Sequence, residues 1–242
     1  MTTTKSIALV TGANKGIGLE ICRQLAKLGF TVLLGSREIS RGTEAAKKLK
    51  GEGLDVRPVQ VDMNDATTFG TLHDLIAADY GRLDVLVNNA GFASDWAYTA
   101  ATVPSQILRD TFETNFFALV DLTQKLLPLI RKSSAGRIVN QSSALGSLTL
   151  HSTPDSGMDG FKPLAYNSSK TAVNAFTVHL ADAIKDTPIK INSAHPGAVA
   201  TDANPSGTLS VEEGARTAVQ LATLPIDGPT GGFFHMGQAL PW

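Results

Sequence analysis

Seven short runs of β-branched and leucine residues, each separated from the next by a longer segment of helical character, limit what this chain can fold into. The runs are IALV (7–10), TVLLG (31–35), RPVQV (57–61), LDVLVN (83–88), GRIVNQ (136–141), KINSA (190–194) and GGFFH (231–235). Helix-like segments lie at about 16–29, 41–50, 66–80, 104–132, 164–185 and 210–223, the first closed by Gly29. Strand and helix in repeated alternation require a mostly parallel sheet, because parallel neighbours need long crossovers and the crossover helices cover both faces. No linker, repeat or low-complexity tract divides the 242 residues. The expectation is therefore one α/β domain over 1–242, a doubly wound seven-stranded parallel sheet with helices on both faces. Irregular stretches at 91–103, 144–164 and 196–209 follow carboxyl ends of strands, where such sheets bind ligands.

Composition removes several function classes. The 21 basic and 22 acidic residues nearly cancel to a formal charge of -1, without long runs of one sign, so neither a nucleic-acid nor a membrane-surface partner is expected. No apolar stretch approaches the roughly 20 residues that cross a bilayer. A lone cysteine, Cys22, permits no intrachain disulfide, and MTTTKS lacks the apolar core of a signal peptide; a cytoplasmic location is the default expectation. The histidines at 73, 151, 179, 195 and 235 show no ligand spacing with one another or with Cys22, so no catalytic metal is expected, and His195 is read as the end of a strand.

Residues 11–18, TGANKGIG, sit between the first strand and the first helix. A turn carrying Gly12, Gly16 and Gly18 lets the backbone approach a phosphate, and the N–H groups and dipole of the next helix stabilise its charge. The spacing differs from the commoner G-x-G-x-x-G fingerprint, and alone it also suits a plain tight turn. Where that fingerprint has an acidic residue for a ribose 2′-hydroxyl, this chain has Ser36 and Arg37, with Arg41 one turn on and Lys15 inside the glycine turn. A base in place of an acid implies a cationic pocket for a 2′-phosphate, and NADP rather than NAD as cofactor.

TGANKGIG, NNAG at 88–91, Asn115 in a helix, the serine pair 142–143, YNSSK at 166–170 and PGAVAT at 196–201 together resemble the short-chain dehydrogenase/reductase family, in its order and over nearly the whole chain. NKGIG, SREISRG and VEEGA resemble its carbonyl reductase branch. The resemblance implies a Rossmann-type sheet and a reductase that moves hydride from the nicotinamide C4 of NADPH to a ketone or aldehyde. An alcohol dehydrogenase running in the oxidative direction is the alternative enzyme, and an idle NADP-binding regulator the alternative outside catalysis. Regulators of that kind tend to lose the tyrosine or lysine, which are both present here.

Tyr166 and Lys170, four apart, share one helical face. A nearby ammonium and the positive nicotinamide ring of the cofactor stabilise a phenolate, so a lowered phenol pKa is expected, suited to a general acid. Neighbouring serines at a strand end face opposite ways, so only one of Ser142 and Ser143 reaches the tyrosine. The family pattern assigns Ser143, leaving Ser142 to bond the backbone. It also implies that Asn115 holds a water on the proton path from Lys170. By the same resemblance Asn14 and Ile17 belong with the glycine turn, Asp62 and Met63 clamp the adenine, Asn89, Ala90 and Gly91 lie beside the adenosine ribose, and Pro196, Gly197, Val199 and Thr201 orient the carboxamide. Two departures stand out. The 22 residues between Ser143 and Tyr166 exceed the minimal layout by about ten, implying an insertion loop at about 149–163, and the segment 201–210 is short, implying a pocket open on one side. An insertion covering the helices through which relatives pair implies a monomer.

Overall fold

Strand β1 (Ile7–Val10) sends Ile7 and Leu9 into one hydrophobic cluster and Ala8 and Val10 into another. Both faces of the sheet are thus buried, which is why the run carries no polar residue. This arrangement is seen in a computed structural model of the chain, which describes residues 5–158, 160 and 162–242. Asp159 and Phe161 of the expected insertion lie outside the described residues.

The remaining strands are β2 (Thr31–Ser36), β3 (Val56–Gln60), β4 (Val85–Asn88), β5 (Arg137–Gln141), β6 (Lys190–Ala194), β7 (Phe233–His235) and β8 (Gln238–Ala239). The helices are α1 (Gly16–Lys27), α2 (Ile39–Gly51), α3 (Thr67–Asp79), α4 (Ser105–Phe112), α5 (Ala118–Ile130), α6 (Leu148–Ser152), α7 (Leu164–Ala183) and α8 (Val211–Ala222). One sheet holds all the strands in the order β3-β2-β1-β4-β5-β6-β7-β8, and β1 to β7 pair in parallel. The chain moves outward from β1 to β3 and then starts again at β4, on the other side of β1. That reversal opens a crevice at the carboxyl ends of β1 and β4.

Three features differ from the sequence reading. To the seven expected strands the structure adds β8, antiparallel to β7 through a two-residue turn in which Met236 and Gly237 both have positive φ. Such turns favour Asn-Gly, and a methionine in the first place hides the hairpin. The helix expected at 104–132 is interrupted by a π-helical segment, Glu113–Phe117, between α4 and α5. The insertion is not wholly a loop: α6 forms at its start, where the Ser147 hydroxyl accepts the Leu150 N–H and the Thr149 N–H bonds the Trp242 carbonyl.

The insertion also takes another path than expected. His151 bonds the Leu145 carbonyl and Lys162 the His151 carbonyl, which keeps this segment against the turn after β5. The groove between α5 and α7, walled by Phe116, Phe117, Val120 and Phe176, includes none of its described residues, and Phe117 is 50% exposed there.

Candidate active site

A cleft of about 670 Å³ runs along the carboxyl ends of β1, β2 and β4. Its floor is the glycine turn. Gly12 has φ +61°, and a Cβ there would stand 2.8 Å from the Cα of Ala90; one on Gly18 would stand 2.5 Å from the Asn89 amide nitrogen. Larger residues would push β1 and β4 apart and fill the cradle. Thr11 and Asn89 hold the two strand ends together: the Thr11 hydroxyl accepts the N–H groups of Asn89 and Ala90, and the Asn89 amide donates to the carbonyls of Thr11 and Gly12. α1 begins at Gly16 without a side-chain cap and without an acid in its first turn. Its free N–H groups and dipole suit a phosphate, so the residues present fit a dinucleotide.

Gly12, Asn14, Lys15, Gly16, Ile17, Gly18, Ser36, Arg37, Arg41, Asp62, Met63, Asn89, Ala90, Gly91 and Thr201 all line this cleft. Pro196, Gly197 and Val199 are not among its lining residues, and Val199 is buried against Gly214 of α8. Asp62 and Met63 follow β3 by two and three residues instead of ending it. Two carboxylates were not foreseen. Glu38 pairs with Arg41 at 2.9 Å and lies 3.8 Å from Arg37. Asp202 pairs with Lys15 at 2.6 Å, turning that ammonium towards the 200–203 side of the cleft and not towards Arg37.

The second cluster adjoins the cleft at Gly91. β5 ends at Gln141, and Ser143 then caps a short turn at Ala144–Gly146, its hydroxyl accepting the Leu145 N–H. Gly146 packs so tightly on α7 that a Cβ would meet the Lys170 backbone at 2.8 Å, which fixes the serine turn against the helix. Tyr166 and Lys170 share a face of α7 as their spacing predicts, with the Lys170 ammonium 5.7 Å from the phenol ring centre. Ser142 does bond the backbone, donating to the Lys170 carbonyl at 3.4 Å.

Burial dominates the electrostatics of the chain's own groups here. Burial pushes the Tyr166 phenol above its ordinary value, and a hydrogen bond with Ser143 opposes this only in part. Lys170 is itself buried, and its Nζ donates to the Gln141 carbonyl at 2.8 Å. Loss of water brings its ammonium down to about 8 from 10.5. His195 follows β6 as expected and is held at about 4 by burial and by His235; its Nδ1 accepts the Ala144 N–H.

Asn115 lies in the π-helical segment, wholly buried. Its Oδ1 accepts the Phe92 N–H at 2.7 Å, and its Nδ2 donates to the Phe92 carbonyl and to the Ser169 hydroxyl. A Cβ on Gly91 would stand 3.6 Å from the Lys170 Nζ and 3.8 Å from the Asn115 Oδ1, so both polar atoms rim the space which that glycine leaves.

Comparison with known proteins agrees with this architecture. Residues 6–209 match the short chain dehydrogenase family. A short-chain dehydrogenase/reductase of Saponaria officinalis is 35% identical over 98% of this chain and 96% of that protein. Human carbonyl reductase [NADPH] 1 is 37% identical over 98% of each. The solved structure of an NADPH-bound carbonyl reductase from chicken fatty liver superposes with a TM-score of 0.85 at 26% identity, covering 99% of both chains. The chain belongs to the short-chain dehydrogenase family. It is an oxidoreductase of that family, and no described helix is long and apolar enough to cross a membrane.

Proposed function

We propose that this chain is an NADPH-dependent reductase of ketones and aldehydes. The observation that carries the reading is the meeting of Ser143 with Tyr166 and of Tyr166 with Lys170, whose Nζ lies beside Gly91 of the cleft that also holds Arg37 and Arg41. The glycine turn and the start of α1 would bind the pyrophosphate and Arg37 and Arg41 the 2′-phosphate; Lys15, paired with Asp202, would contribute from the opposite side. When bound, NADPH supplies the hydride.

Ser143 holds the substrate oxygen with its hydroxyl, and Tyr166 gives that oxygen its proton. Lys170 would hold the ribose of the cofactor with its ammonium and would return a proton towards the tyrosine through the space at Gly91, on whose rim Asn115 Oδ1 also lies. The short 201–210 segment would leave one side of the substrate region open, which favours bulky carbonyls.

The test is NADPH oxidation with a panel of ketones, aldehydes and quinones, repeated with Tyr166→Phe. The expected result is turnover by the native chain and a loss of about 10² or more in the variant, with NADPH binding kept. Near-native turnover by Tyr166→Phe would refute the assignment.

A further inference from the structure

α7 begins after Pro163, which offers no side-chain cap, and its first turn contains no acidic residue. The missing cap comes from another part of the chain. Asp95, seventy residues earlier and 0% exposed, directs its Oδ2 at the helix start, accepting the Ala165 N–H at 2.6 Å and the Tyr166 N–H at 3.4 Å. Its Oδ1 is buried with no hydrogen-bond partner. A carboxylate so enclosed is costly to hold, and the free N–H groups and positive end of a helix are what offset that cost. The next residue grips the same tyrosine from outside: the Trp96 ring packs 5.4 Å from the Tyr166 ring at an interplanar angle of 48°.

We infer that Asp95 and Trp96 form a two-point clamp that positions Tyr166, Asp95 fixing the backbone where the helix starts and Trp96 fixing the ring. This rests on the reading of Tyr166 as proton donor. Asp95 does not line the cofactor cleft and makes no hydrogen bond to Ser143 or Lys170, so its effect on the site passes through the helix start that carries Tyr166. Without the carboxylate the first turn frays, and the hydroxyl leaves the place where it meets Ser143. Misplacement by an ångström costs about 10²-fold in rate.

The experiment compares Asp95→Ala, Asp95→Asn and Trp96→Leu. It measures NADPH affinity by fluorescence, kcat on the best carbonyl of the native chain, and the ionisation midpoint of Tyr166, taken from the ultraviolet absorbance of each protein minus that of its counterpart lacking the Tyr166 hydroxyl. Asp95→Ala is expected to keep NADPH affinity, to lose about 10- to 100-fold in kcat, and to shift the Tyr166 midpoint down towards the free phenol as water reaches the ring. Asp95→Asn, which keeps an acceptor oxygen of the same shape, is expected to recover most of the rate. A kcat per folded molecule equal to native with an unmoved midpoint would make Asp95 a plain structural cap and overturn the inference. So would a rate loss matched by a loss of NADPH affinity. If Asp95→Ala does not fold, Trp96→Leu, at a position 46% exposed, decides: a lower kcat and a lower midpoint support the clamp, and native values overturn it. If the native chain reduces no carbonyl, the functional reading fails, while the midpoints still decide whether the clamp exists.

Discussion

Lys170 works against the fold that holds it. Its ammonium titrates near 8 in the folded chain against 10.5 when solvated, so between those values the unfolded chain binds the extra proton. Stability therefore rises as pH climbs through this window, and below it the buried charge is a standing cost. Lys170→Met, measured by urea unfolding at pH 7 without cofactor, is expected to gain about 1–2 kcal/mol, the desolvation cost reduced by the lost bond to Gln141, while turnover collapses. The gain should shrink as the pH is raised towards 10.5; a variant less stable than native at pH 7 would contradict the account. At the other end of the cleft, Arg37→Asp replaces a partner of the 2′-phosphate with a repelling carboxylate. A hydrogen bond to a charged group is worth about 1.5–3 kcal/mol, so NADPH affinity is expected to fall about 10- to 100-fold and the preference to move towards NADH. The kcat/KM ratio for the two cofactors checks it. The residues in these predictions were legible because motif and spacing mark them. Glu38, Asp202 and Asp95 were not marked: Asp202 meets Lys15 across 187 positions and Asp95 meets Ala165 across 70, and no local pattern encodes such contacts. The burial around Tyr166 was not legible for a related reason, since spacing reports the neighbouring ammonium but not the desolvation that raises the phenol in the chain by itself.

At the scale of elements, the alternation of apolar runs showed the order of strands and helices, because burial on both faces makes each strand a continuous apolar segment. The pattern could not show where a helix changes its winding. Glu113–Phe117 contains one irregular turn inside a helical period, and that turn presents Asn115 to the loop after β4. There the amide acts like the edge of a strand, pairing with both the N–H and the carbonyl of Phe92 while also donating to Ser169. Asn115→Leu keeps the volume but takes away the partners of the part-buried Phe92 N–H and carbonyl, at a cost of about 1–3 kcal/mol for each group left unsatisfied. A fall in Tm of roughly 5–15 °C is expected, at about 2–4 °C per kcal/mol for a chain of this size. Asn115→Asp, which keeps the acceptor for the Phe92 N–H, should lose less; equal losses in a thermal scan would mean that the Phe92 bonds are not what stabilises the turn.

At the scale of the whole molecule, two cores share one sheet, and Cys22 reports on both. It lies in α1 with no exposed surface, among Val10, Leu25 and Val32, and burial pushes its thiol well above the usual range. A thiol reagent needs the thiolate, so labelling requires α1 to leave the sheet. β1, beneath α1, contributes alternate residues to both clusters, so α1 cannot detach cheaply while the opposite core stays intact. The labelling rate of Cys22 with a chromogenic disulfide is therefore expected to follow global unfolding, with the same urea midpoint as circular dichroism. Cofactor binding extends the argument, because the N-terminal turn of α1 is part of the cleft floor. A ligand that binds only the folded state lowers the unfolded population by the factor 1 + [L]/Kd, so NADPH at about 100 times its Kd should slow labelling about 100-fold. A labelling rate indifferent to NADPH would mean that α1 opens by itself, and that the glycine turn and the core behind it are not one cooperative unit.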